Sequence, residues 1–193
     1  MVSHDVGAHV AQGFARKYPG RLAGLFFFDC PYPGIADRWV EPGSVNEIWY
    51  QSFHLQPWAA SPVGENRRIC EAYFRHLLDH WTHEPGLFDE DLDAWVDNFT
   101  KPGNLQGGFD WYVATNEGGI IRDGAPEMPK IEVPSRFLWG AGDPVVTVRW
   151  ADRLGDYFAD YTFEPARGAG NIVHYERPEL ANREISTIFG GLL

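Results

Sequence analysis

The residues best suited to covalent chemistry stand at the start of the chain, in Ser3-His4-Asp5-Val6-Gly7. One acidic side chain sits between small residues placed two before and two after it. That spacing suits a tight strand-to-helix turn, which sets the central side chain at the head of a helix where backbone N–H groups favour negative charge. A carboxylate is ionised at neutral pH and can attack a strained or activated alkyl carbon without a base to activate it. The plainer alternative is that Asp5 is an ordinary helix N-cap.

Holding Asp5 at such a corner requires a strand before it and a helix after it. A helical pattern runs from Ala8 to Tyr18 and stops at Pro19-Gly20. The run from Leu22 to Asp29, closed by Cys30-Pro31-Tyr32-Pro33-Gly34, reads as a strand buried on both faces of a parallel sheet. From Pro42 to Pro129 the pattern becomes helical, with segments at 45–55, 65–80, 89–99 and 105–116 divided by Pro and Gly. Ile131 to Gly140 restores a strand, followed by the loop Ala141-Gly142-Asp143-Pro144 and a helix over 148–158. A short strand at 161–164, a loop at 166–172 and a closing helix at 178–189 complete the pattern. The expected organisation is an α/β core in two parts, residues 1–41 and 130–193, carrying an all-helical cap at 42–129.

Three landmarks carry a family resemblance. His4-Asp5-Val6-Gly7 resembles the His-Asp-x-Gly elbow of the epoxide-hydrolase and haloalkane-dehalogenase branch of the α/β-hydrolases. Phe137 to Pro144 resembles the strand and loop that deliver the acid of the catalytic triad, here Asp143. Gly168-Ala169-Gly170 with His174-Tyr175-Glu176-Arg177-Pro178-Glu179 resembles the loop and helix around the triad histidine. The similarity extends over nearly the whole chain, in the nucleophile–acid–base order of that fold. It implies an α/β-hydrolase core with Asp5 as nucleophile, the Val6 N–H in the oxyanion hole, no cofactor, and His4, Phe53, Trp111 and Ile172 around the substrate.

The helical cap separates the branches. Tyr50-Gln51-Ser52-Phe53 and Phe109-Asp110-Trp111-Tyr112 resemble the segments that carry the two oxirane-binding tyrosines of epoxide hydrolases. Ring opening leaves an alkoxide that needs hydrogen-bond donors, and a neutral phenol supplies one on an apolar ring. The resemblance therefore implies a small apolar epoxide as substrate, with Tyr50 and Tyr112 as donors. Haloalkane dehalogenases place a Trp after the nucleophile, and haloacid-type relatives place arginines one and four positions beyond it. Here those positions hold Val6 and His9, which makes dehalogenation the weaker alternative.

Two departures qualify this reading. The position of the general-base histidine is Asn171, followed by Ile172. An amide has no useful basicity, so an ester on Asp5 is expected to form while its hydrolysis is impaired. His174, three residues on, is a candidate substitute. A catalytically dead member that binds an apolar ligand or forms a dimeric scaffold is the rival reading. Only Met1-Val2 precede the elbow motif, so the expected sheet is partial and truncated. Its long apolar edge is expected to be covered by a homodimer or a partner segment.

The remaining composition sets limits. A formal net charge of −11 with no basic cluster excludes nucleic acid and anionic membrane as natural partners. No apolar run is long enough to span a bilayer and no signal peptide is visible, so a cytoplasmic enzyme is expected. Two cysteines cannot build a disulfide framework. His76, His80 and His83 would share a helix face, more plausibly as an aromatic stripe than as a zinc site. Asp89-Glu90-Asp91 with Asp93 is expected to cap a helix. Gly107-Gly108 and Gly118-Gly119 lack the preceding strand of a phosphate loop.

Overall fold

The computed structural model describes residues 1–117 and 127–190; the Gly118-Gly119 pair lies outside them. In chain order the elements are β1 (Val2–His4), α1 (Val6–Lys17), β2 (Leu25–Phe28), α2 (Trp49–His54), α3 (Ala60–Val63), α4 (Arg67–Trp81), α5 (Leu92–Phe99) and α6 (Asn104–Glu117). They continue with β3 (Ser135–Gly140), α7 (Leu154–Tyr157), β4 (Tyr161–Ala166), α8 (Val173–Glu176) and α9 (Pro178–Phe189). The four strands form one parallel sheet in the order β1-β2-β3-β4.

The alternation of β2 explains why its apolar run is unbroken. Leu25 and Phe27 face one layer with Phe137, Trp139 and the Ala8, Ala11 and Ala15 stripe of α1. Phe26 and Phe28 face the other, with Leu138, Val173, Ala181 and the inner side of α9. Phe27 is paired in register with Phe137, their rings stacked at 4.9 Å, and Phe158 closes on both edge-on. Truncating so enclosed a ring typically costs about 3–5 kcal/mol. A second core, built from Cys70, Phe74, Leu78, Leu92, Val96 and Phe109 among others, holds the helices between β2 and β3 together.

Several expectations need correction. The sequence pattern does not announce β1, because three residues with two polar ones carry no apolar alternation. The sheet edge expected to be long and apolar is this three-residue strand, which exposes Val2. The helix expected over 148–158 is a 3-10 stretch, Val148–Arg153, running into the short α7. The histidine stripe is broken because α4 ends at Trp81 and Thr82 turns extended (ψ 157°), which takes His83 off the helix. His76 and His80 stack, and His80 bonds Glu47. The acidic run does stand at the start of α5, with Asp91 at its N-cap and Asp93 in its first turn, but no side-chain cap bond forms; Asp89 pairs with Arg75 and Asp93 with Arg67. Gly107-Gly108 lies within α6. Among the described residues no helix is long and apolar enough to cross a membrane.

Candidate active site

Asp5 sits between β1 and α1 with φ 42° and ψ −118°, a backbone conformation that L-residues avoid. Such strain costs on the order of 1–3 kcal/mol and persists where the surroundings enforce it. Here β1 is held by its ladder to β2, the Asp5 N–H donates to the Phe28 carbonyl at 3.3 Å, and the Asp5 carbonyl accepts from Ala8 N–H at 2.8 Å as α1 begins. The side chain makes no cap hydrogen bond, so the N-cap alternative does not describe it. A Cβ added to Gly7 would meet the Ser3 Cβ at 3.6 Å, ordinary contact. The corner therefore tolerates a methyl group there.

Asp5 lines a cleft of about 470 Å³, counted to its open mouth, together with Val6, His9, Tyr50, Trp111 and Tyr112. Trp39, Pro31, Gln51 and Thr115 complete the wall. Val6 is the first residue of α1, and helix-start N–H groups have no intrahelical partner. Tyr50 comes from α2 and Tyr112 from α6; their rings meet edge to face at 5.8 Å. Burial first, then the Asp5 charge in one case and Tyr50 and Asp5 in the other, push both phenols above their ordinary range, so both remain protonated donors at neutral pH. Gln51 Nε2 makes a long 3.5 Å contact to the Tyr50 hydroxyl. Among the described residues no Arg or Lys lines the cleft, which leaves a substrate carboxylate without a partner and disfavours haloacid chemistry.

Asp143 and Asn171 meet elsewhere. Asp143 is buried, its Oδ1 accepting from Val145 and Val146 N–H at 2.8 and 3.0 Å and its Oδ2 from Asn171 Nδ2 at 2.9 Å. Burial raises its pKa to about 7, against the lowering effect of the Asn171 hydrogen bond. The loop before Asn171 is pressed tightly in place. A Cβ on Gly140 would stand 1.7 Å from the Gly170 carbonyl, and one on Gly170 would stand 2.2 Å from the Trp81 carbonyl. Asn171 N–H donates to that same Trp81 carbonyl at 2.7 Å. His4 Nε2 donates to the Asn171 carbonyl at 2.8 Å, which fixes the proton on Nε2 because a carbonyl only accepts. Asn171 does not line the Asp5 cleft.

Four other expected site residues lie away from it. His4, Ile172 and His174 line a separate aromatic groove with Phe88, Trp95 and Tyr175. The His174 ring packs at 4.9 Å on His4 and 5.1 Å on Phe28, and burial lowers its pKa to about 4. Phe53 packs on Trp49, Trp58, Tyr73 and Phe109 in the helical core. Sequence reasoning gives no role to Trp39, His9, His54 or Asp29. His9 was legible as one helical turn from Val6. Trp39 stands on a 3-10 segment, Ala36–Val40, whose docking no local pattern announces. His54 stacks on Phe109 at 3.9 Å and lies 4.6 Å from the Tyr112 ring, behind the phenols. Asp29 is buried with φ 40°; its Oδ1 accepts from Gly140 N–H at 2.6 Å, and burial then Asp143 push its pKa well up.

No family model matches the chain. Mouse epoxide hydrolase 3 is 24% identical over 187 residues, covering 93% of this chain and 48% of that protein. The solved epoxide hydrolase CorEH superposes with a TM-score of 0.82 at 24% identity, covering all of this chain and 68% of that one. Wild-type Cfl2 from Burkholderia cenocepacia gives a TM-score of 0.81 at 25% identity, over 97% of this chain and 64% of that one. The fold is that of the α/β-hydrolases, and the sequence is similar to epoxide hydrolases. The chain spans about half the length of the curated relatives it matches.

Proposed function

We propose that the chain opens small apolar epoxides through an alkyl ester on Asp5, and that hydrolysis of this ester is the slow half of the reaction. One observation carries the proposal: a strained, uncapped carboxylate shares a cleft with two protonated phenols from different helices. In the first half, an Asp5 oxygen forms a bond to an epoxide carbon, the ring C–O bond breaks, and the alkoxide takes a proton from Tyr50 or Tyr112. In the second half, water adds to the Asp5 carboxyl carbon, the bond from that carbon to the ester oxygen breaks, and diol leaves. That water must give up a proton, and the Asn171 amide cannot take it.

Incubation with styrene oxide followed by intact-mass analysis tests this. The expected result is a single adduct that maps to Asp5 and outlasts the appearance of free diol. No mass gain, or a gain that persists in Asp5→Asn, refutes the nucleophile. Rapid multiple turnover refutes the slow second half. The closed Asp143–Asn171 pair also supports a second reading, a ligand-binding member without turnover. Thermal stabilisation by styrene oxide or its diol with no adduct would favour that reading.

A further inference from the structure

The ester formed on Asp5 still needs a proton acceptor, and the base loop offers none that faces it. His174 is in the other groove, and the family's position is an amide. Of the histidines among the described residues, His9 alone lines the Asp5 cleft. It stands on α1, three residues after Val6 and four after Asp5, so Val6 and His9 share the face turned to the cleft while Ala8, Ala11, Gln12 and Ala15 take the buried one. Among the described residues its ring has no hydrogen-bond partner and only a tilted contact with Trp111 at 6.4 Å. A ring nitrogen is therefore available to a water in the cleft.

We propose that His9 is the base that hydrolyses the Asp5 ester, replacing the histidine that Asn171 displaces; this rests on the reading of Asp5 as nucleophile. Water adds its oxygen to the Asp5 carboxyl carbon and gives one proton to His9. The tetrahedral carbon then expels the alkoxide, which takes the proton left on the carboxyl group, and Asp5 returns as carboxylate. The tyrosinate left by ring opening, whose ring borders the same cleft, regains a proton from solvent before hydrolysis, and His9 releases its proton to solvent afterwards. The sum is epoxide plus water giving diol, with every residue restored.

The charge balance around His9 favours the neutral base. Burial lowers its pKa below the ordinary histidine value, and the Asp5 anion is the one influence raising it. In the ester that anion is gone. The other titratable groups facing it are Tyr50 on α2 and Tyr112 on α6, both pushed above the ordinary phenol range. Gln51, Thr115 and Trp111 carry no charge. Adduct decay should therefore rise with pH, level off above a pKa below 6.5 and stay flat to pH 8.

The experiment isolates the second half-reaction. The full chain is loaded with styrene oxide, freed of excess reagent, and the decay of the adduct followed by intact mass from pH 5 to 8. His9→Gln should still form the adduct, since the attack needs no base, and should lose it about 100-fold more slowly, the scale of general-base catalysis. The pH dependence should vanish with it. A slowing of less than tenfold, a decay that climbs with pH without levelling, or an adduct that persists for days in the unaltered chain overturns the His9 assignment alone. Failure to form any adduct overturns the Asp5 reading, and the His9 assignment falls with it.

Discussion

Asp5 follows β1 and Asn171 follows β4, the two outer strands of one sheet, yet the two corners are built to opposite specifications. At the first, the backbone is strained, the side chain lacks a cap bond, and a cleft opens in front of it. At the second, the backbone N–H, the carbonyl and the side-chain amide are each engaged, and the neighbouring glycines leave no slack. The contrast teaches that one sheet can hold a strained carboxylate open to a cleft at one edge and close an acid–amide pair at the other.

Breaking the first corner should have the largest effect. Asp5→Asn keeps the shape and a residue tolerant of positive φ, yet removes the proposed nucleophile; adduct formation with styrene oxide should fall by more than about 10³-fold in intact-mass time courses. Next, Tyr50→Phe with Tyr112→Phe removes both phenol donors, and the same assay should show adduct formation slowed by about 10²–10³-fold. Restoring the second corner is the complementary test. Asn171→His should raise diol release by about 10²-fold in a chromatographic product assay, because an imidazole would then face Asp143.

A smaller effect concerns pH. The folded pKa of Asp143 is raised to about 7 by burial, so the folded state prefers the protonated acid. Stability is then fully present below the unfolded value near 3.9 and declines as pH rises towards 7, by about 1.4 kcal/mol per pKa unit as an upper bound. Melting temperature should drop between pH 5 and pH 8, and Asp143→Asn should flatten that slope. The smallest effect belongs to the surface: Arg67→Ala breaks exposed pairs with Asp93 and Asp97 and should leave the midpoint of chemical denaturation nearly unchanged.

What the sequence made legible follows from what is local. The Leu25–Phe28 strand, the helical run between β2 and β3 and the turn around Asp5 are each written in a few adjacent residues. The pairing of Tyr50 with Tyr112 was reachable only through resemblance, since 62 positions separate them and no spacing rule joins two helices so far apart. The roles of His4 and His174 were misplaced for a related reason. Adjacency to Asp5 or Asn171 along the chain says nothing about which side of the sheet end a ring turns to, and both turn to the aromatic groove. His9 is visible by helical periodicity, yet the sequence presents it only at a position where haloacid-type relatives carry an arginine.

The His4–Asn171 contact has one more consequence. Because His4 grips the carbonyl of residue 171 and not its side chain, the spacing between the two ends of the active region is gauged by main chain. That gauge is blind to which amino acid occupies position 171. Evolution or an experimenter can exchange the side chain there and leave the elbow's alignment where it was.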